Sequence, residues 1–309
     1  MFNLLRFATV AMVAVSLSGC GSLSVFEGFL SPTGELAAKK AAPNAMGKAY
    51  VFRGMGGRFA SDEMDYLSDK LRSSGVIEAE TYNHLNWYGP AEEAISHYKK
   101  SPQPIMAMGH SAGGDAALRF AWKLKSAGVP VSLIVAFDPS RKASSVPNNV
   151  DRFINMYQST NFFGGGYVRA SEDFRGHFMT VDLRNYWEVL HVHMVKIRGL
   201  QEQIIAKVVQ IATMPPVLEG PTVPIRYVMP RGEKIELWDS GIAIQTEPGD
   251  TVRTVAQRYN VPVWSVAQLN NVGANTSFEP GKRLVVPRYL ETAPFAPAGP
   301  LTSYAPQRH

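Results

Sequence analysis

The sequence predicts an α/β protein: a doubly wound, mostly parallel sheet, followed by a small unit of strand, helix, helix and strand. Three observations carry this reading. Between residues 49 and 211, apolar runs of strand length alternate with segments of helical spacing, the pattern left by a parallel sheet with crossover helices. At one strand-to-helix junction stands "MGHSAGGD", residues 108–115, with Gly109, Ser111 and Gly113 in a GxSxG arrangement. Proline then recurs at 215, 216, 221, 224 and 230, which breaks the pattern and divides the chain.

The elements follow in order. Residues 49–52 are a short apolar run entering the glycine turn "RGMGG", a buried strand. Residues 62–73 set Met64, Leu67 and Leu71 at helical spacing behind a Ser61/Asp62 cap signal. "GVIEAETY" is the next strand and 91–98 the next helix. "PIMAM" leads into the Ser111 junction, and 112–125 is a helix with Ala116, Ala117, Phe120, Ala121 and Leu124 inward. "VSLIVAF", "DRFINMYQ" and "HFMTVDLR" are further strands, and 194–211 reads as one long amphipathic helix closing the unit. Past the prolines, "IAIQT" is a strand, and Asp250 or Thr251 caps a short helix with apolar residues at Val252, Val255, Ala256 and Tyr259. A second helix opens at Val261-Pro262 and ends at Asn270-Asn271, and "KRLVVP" is the last strand.

Composition narrows the function. With 45% hydrophobic residues in 309, the chain can bury a sizeable core and is not globally disordered. Its formal charge of +5 comes from 31 basic and 26 acidic residues, with a pI near 9.2, but the basic residues are scattered. A nucleic-acid partner would need a basic run or stripe, so none is expected. Neither is a metal or other cofactor, because no cysteine or histidine cluster suggests one.

The first twenty residues differ from the rest. Arg6 precedes the 11-residue apolar run "FATVAMVAVSL", too short to span a bilayer as a helix, and then comes "LSGC" with the chain's only cysteine, Cys20. This resembles the bacterial lipobox, which implies cleavage before Cys20 and a diacylglyceryl group on its thiol. Such a chain would be lipid-anchored in the bacterial cell envelope, facing the periplasm or the exterior. Removal of residues 1–19 leaves 30 basic and 26 acidic residues, a charge of +4. The expected organisation is a signal peptide at 1–19, a linker at 20–47, a large domain at 48–213, a Pro-rich linker at 214–241, a small domain at 242–290 and a disordered tail at 291–309.

The junction at Ser111 meets three demands of a nucleophile elbow: a strand before it, a helix after it, and glycines two residues to either side. The elbow places the serine in a strained backbone turn, and the helix N-terminus offers the free N–H of Ala112 and the positive end of a dipole to an oxyanion. The second donor should come from the loop 53–57, where the Met55 N–H is the candidate. These residues resemble the α/β-hydrolases, GHSAGG being similar to the lipase and esterase form of the elbow, over about residues 49–211. The likeness implies a serine, acid and histidine triad in that chain order. It departs from the family at Arg53-Gly54, where many members have His-Gly.

The base must follow the last strand and precede the last helix, which leaves His191 and, as the alternative, His193. His84, His97 and His177 come too early, and His110 should point away from the serine. For the acid, Asp138 ends a buried strand 27 residues after Ser111. Glu172 or Asp173 would serve if the acid lay one strand later, and Asp182 lies within a strand.

The small unit resembles a LysM domain along its whole length, in the order "GDT", "VAQRYNV", "LNN", "PGKRLVVP". That family implies binding to N-acetylglucosamine-containing glycans such as peptidoglycan. The groove would lie between Gly249, Asp250 and Thr251 and the segment after Asn270. The expected protein is thus an envelope serine hydrolase acting on an ester or thioester, with a small-molecule or lipid substrate. The alternative is a non-catalytic tether between membrane and wall, with a degenerate hydrolase fold.

Overall fold

A computed structural model describes residues 45–162, 164–214 and 221–290, without the side chains of 58–61. The expected signal peptide, Cys20, nearly all of the first linker and the tail from 291 lie outside the described residues. Among the described residues, no helix is long and apolar enough to cross a membrane.

Seven strands form one sheet: β1 (Gly47–Arg53), β2 (Ile77–Asn83), β3 (Ile105–His110), β4 (Leu133–Phe137), β5 (Arg152–Tyr157), β6 (His177–Asp182) and β7 (Ile225–Val228). Their order is β2-β1-β3-β4-β5-β6-β7, with every pair parallel. Parallel strands must be buried on both faces, and β3 and β4 are buried at every position. Alternate side chains serve opposite cores. Ala49, Val51, Met108 and Val135 pack with Met64, Leu67 and Leu71 of α1 (Arg58–Ser73) and with Leu200, Ile204 and Val208 of α4 (Arg198–Thr213). Tyr50, Phe52, Ala107 and Ile134 face α2 (Tyr88–Lys100) and α3 (Ala112–Ser126). The alanines of α2 and α3 let these helices lie close to the large aromatics Tyr50 and Phe52 of β1.

Two expectations are corrected. The helix read at 194–211 is a 3₁₀ turn, His191–Lys196, followed by α4. Ile197 between them is extended (φ −74°, ψ 96°), so a single helix cannot run through it. The Pro-rich segment 214–241 is not merely a linker. It supplies β7, the seventh strand of the sheet, and the start of β8 (Trp238–Gln245). The strand is only four residues long and sits among prolines, so neither its period nor its length stood out. The large domain therefore extends beyond 213, and the histidine pair follows the sixth strand rather than the last.

The small unit pairs β8 antiparallel with β9 (Arg283–Tyr289), with α5 (Val252–Arg258) and α6 (Val263–Leu269) between them in the chain. Thr251, not Asp250, caps α5 through a reciprocal box with Thr254, whose N–H donates to Thr251 Oγ1 at 3.2 Å. The unit packs against the large sheet. The rings of Tyr227, Trp238 and Trp264 cluster there, Trp238 lying 4.2 Å from Tyr227 and 5.3 Å from Trp264. The Gln268 side chain brackets Val228 of β7, accepting from its N–H at 2.6 Å and donating to its carbonyl at 3.1 Å. Beside them the buried Asp239 meets Arg288 and His177 at 3.1 Å and Arg152 at 3.3 Å.

Candidate active site

Ser111 sits between β3 and α3 at φ 56°, ψ −126°, a left-handed backbone that costs a non-glycine residue about 1–2 kcal/mol. The turn is enforced by close approach on both sides. A Cβ on Gly109 would lie 2.0 Å from the Gly113 carbonyl oxygen, and one on Gly113 would lie 2.1 Å from that of Phe52. Only glycine fits at either place. Ser111 is further tied by its N–H to the Phe137 carbonyl at 2.9 Å, at the end of the neighbouring strand.

Ala112 opens α3, so its N–H has no acceptor within the helix and faces outward at the positive end of the dipole. Met55 lies in the turn after β1, which is closed by Gly57 N–H to Gly54 O at 3.3 Å with Gly56 at φ 83°. That turn follows the Phe52 and Arg53 carbonyls against which Gly113 is packed, so both expected oxyanion donors belong to adjoining segments.

Asp138 follows Phe137 at the end of β4, fully buried and at φ 46°, a region that aspartate tolerates better than most residues. Four donors converge on its carboxylate. Oδ1 accepts from the N–H of Gln158 at 3.1 Å and of Gly165 at 2.7 Å. Oδ2 accepts from the Asn161 amide at 2.6 Å and lies 2.7 Å from His191 Nδ1. A carboxylate at that nitrogen holds the ring proton on Nδ1 and leaves Nε2 with its lone pair. His193 does not share this position: its ring is exposed, with Nδ1 3.4 Å from the Glu188 carbonyl. The other acids lie elsewhere. Glu172 is exposed, Asp173 is tied to Ser171 and Lys125, and Asp182 accepts from the Ser159 N–H and from Arg184.

Among the described residues, the Ser111 hydroxyl and His191 Nε2 make no hydrogen bond to each other. Bonds of this kind are often long without substrate and tighten when it binds. What brings His191 to the elbow is His110, whose ring centroid is 4.7 Å from that of His191. Its Nε2 lies 2.9 Å from the His191 carbonyl, so the neutral ring carries its proton there. Burial, then the neighbouring His191, push the His110 pKa down to about 4. As expected, His110 turns away from the serine, but the sequence did not disclose that it anchors the partner. Two further residues were missed. Arg141 donates to the carbonyls of Gly164, Ser159 and Asn161 at 3.0 to 3.2 Å and braces the loop that holds Asp138. Gly164 leaves no room for a side chain, since a Cβ there would lie 2.3 Å from Asp138 Oδ2 and 2.6 Å from His191 Nδ1. The glycine run in "NFFGGGY" was the signal available for it.

In the small unit, the expected glycan-binding residues use their side chains internally. Asp250 is buried, accepts from the Glu247 N–H at 2.8 Å and pairs with Arg258. Asn270 brackets Val285, donating and accepting at 2.7 Å. Gly249 adopts φ 83°, and Thr251 is the cap. Any glycan contact from these residues falls to their backbone groups.

No curated protein matches the chain. Solved structures similar to it include a protein of the alpha/beta superfamily of hydrolases from Xanthomonas campestris pv. campestris, 12% identical with a TM-score of 0.35, over 53% of this chain and 98% of that one. Another is an esterase from Pyrobaculum calidifontis, 16% identical with a TM-score of 0.30, over 60% of this chain and 67% of that one. At that distance the likeness of architecture to an α/β-hydrolase rests on the sheet order and the backbone of the elbow themselves. Residues 245–287 match the LysM domain model, and the chain carries a LysM domain packed on a seven-stranded, α/β-hydrolase-like sheet.

Proposed function

We propose that the chain is a serine hydrolase of the bacterial cell envelope, cleaving a carboxylic ester or thioester near peptidoglycan. The observation that carries this reading is the Asp138–His191 pair, at 2.7 Å, on the strand end next to a serine in the strained elbow conformation. Ser111 Oγ bonds to the acyl carbon while its proton passes to His191 Nε2, and the Ala112 and Met55 N–H groups receive the charge that builds on the carbonyl oxygen. The bond to the alcohol or thiol then breaks, and His191 returns the proton to the leaving group. Water repeats the sequence on the acyl-enzyme, its proton going through His191 to Ser111 as the acid is released. The buried carboxylate of Asp138 orients the imidazole and stabilises its protonated form.

The envelope location rests on the lipobox-like "LSGC" at Cys20 and on the LysM domain, whose family binds N-acetylglucosamine-containing glycans. A fluorophosphonate probe with a p-nitrophenyl ester panel tests the chemistry. Labelling and turnover are expected in the wild type and not in Ser111→Ala. Silence of the folded wild type in both assays would reject the hydrolase and leave a non-catalytic membrane-to-wall tether. Retention on isolated peptidoglycan, lost when residues 242–290 are deleted, tests the wall contact.

A further inference from the structure

In a parallel sheet, all strands end on one edge, and here that edge carries the candidate triad. The same edge holds most of the large hydrophobic side chains that are exposed among the described residues. Of nine large hydrophobic side chains exposed among the described residues, seven follow the C-terminal ends of sheet strands, and only Met46 and Met214 lie at the opposite edge. Tyr88 is one of the seven, with Lys123 over its ring. The other six, between 40 and 87% exposed, are Met55 after β1, Leu85 after β2, Phe162 after β5, and Trp187, Leu190 and Val192 after β6.

Their arrangement follows from the strand order. Ser111 and Asp138 end the central strands β3 and β4, so Met55 and Leu85 lie to one side and the β5 and β6 loops to the other. At about 4.8 Å per strand, the rim spans roughly 24 Å from β2 to β6. Each part of the candidate site has an apolar neighbour. Met55 carries an expected oxyanion donor, Phe162 adjoins the Asn161 that binds Asp138, and Leu190 and Val192 flank His191. Exposed apolar surface gathered round a site marks a contact surface rather than chance, since scattered single residues are the norm.

We infer that this rim docks on a lipid surface, so that the acyl group offered to Ser111 comes from that surface. The inference rests on the proposed hydrolase and anchor. Three features select lipid. The rim is built of an indole, a phenyl ring and aliphatic side chains, with Arg231 5.9 Å from the Trp187 ring. This is the mixture that settles where hydrocarbon meets charged headgroups. Without residues 1–19 the chain is still basic, at +4, which suits an anionic leaflet. From Cys20 to the first described residue, Ala45, there are 25 steps along the chain, a reach of up to about 85 Å. That exceeds the length of a seven-residue strand, about 23 Å, so an anchored chain can turn its far edge to the bilayer.

The test uses residues 21–309, which lack Cys20 and so carry no acyl group, so that only the rim can bind. It is floated with phosphatidylethanolamine–phosphatidylglycerol vesicles. The parent is expected to float, and a variant with Leu85→Ser, Phe162→Ser and Trp187→Ser to float at least tenfold less at an unchanged unfolding midpoint. A second variant with Leu85→Met, Phe162→Leu and Trp187→Phe keeps the apolar surface and should float like the parent. A parent that stays in the bottom fraction overturns the inference, as does a serine variant that floats equally. It is also overturned if the serine changes abolish pelleting with peptidoglycan sacculi or self-association instead of vesicle binding. Fluorophosphonate labelling of the same samples separates the two readings. Flotation without labelling ends the hydrolase and keeps the docking surface, whereas labelling without flotation does the reverse.

Discussion

Asp138→Asn is the most informative single change, because the backbone tolerates it and the hydrogen bonds do not. Asparagine accepts the left-handed φ of 46° about as readily as aspartate. The four donors on the carboxylate, Gln158 N–H and Gly165 N–H on Oδ1 and Asn161 and His191 on Oδ2, cannot all be satisfied by an amide. If the new NH₂ takes the place of Oδ2, it opposes the Asn161 amide and forces the His191 proton from Nδ1 to Nε2. If it takes the place of Oδ1, it opposes two backbone N–H groups. The first orientation loses one bond and reverses another, whereas the second loses two, so the first is favoured and costs about 1–3 kcal/mol of stability. Loss of the correct tautomer costs about 10⁴-fold in rate in hydrolases of this design, or about 5.5 kcal/mol in the barrier. The assay is kcat/KM on a p-nitrophenyl ester beside the rate of fluorophosphonate labelling, with the unfolding midpoint measured on the same sample. A folded Asp138→Asn protein that keeps more than a tenth of wild-type activity would refute the assignment of the acid.

Other changes test neighbouring parts of the argument. Ser111→Gly removes the proposed nucleophile and also the strained left-handed side chain. It should abolish labelling while raising stability by about 1 kcal/mol, or roughly 2–4 °C in Tm, and a fall in Tm would count against strain at the elbow. Gly164→Ala drives a Cβ to 2.3 Å from Asp138 Oδ2, so kcat should drop about a hundredfold or more with little change in KM; normal kcat would show that the pair can move aside. His110 has its pKa lowered from 6.5 to about 4, so the folded state resists a proton that the unfolded state takes up. Its stability contribution is whole above pH 6.5 and is lost as pH falls towards 4, by about 3 kcal/mol. Denaturant titrations at pH 7, 5 and 4 should show that slope flattened in His110→Asn, and equal slopes would exclude His110 as its source. Asp250→Ala strips the buried partner from Arg258 and the acceptor from the Glu247 N–H. It should destabilise the LysM domain by about 2–3 kcal/mol, seen as faster amide exchange in α5 and β9 than in the large sheet.

The sequence by itself determined the kind of fold and the place of the Ser111 elbow. Alternating strand and helix periods marked six of the seven parallel strands, because each is long enough and apolar enough to show. The GxSxG glycines disclosed the elbow, since a Cβ at Gly109 or Gly113 would lie about 2 Å from a backbone oxygen and no other residue can stand there. β7 was hidden because four residues among prolines carry too little period, and its place at the sheet edge is set by Tyr227 and Val228 meeting Trp238, Trp264 and Gln268. Only the tertiary structure distinguished His191 from His193, two residues apart with the same chemistry. The 3₁₀ turn, held by His110 at the His191 carbonyl, aims one ring at Asp138 and leaves the other in solvent. Likewise, only the fold gathers Met55, Leu85, Phe162 and Trp187 on one edge. They are scattered along the chain, and parallel strands bring them together because such strands all end on the same side.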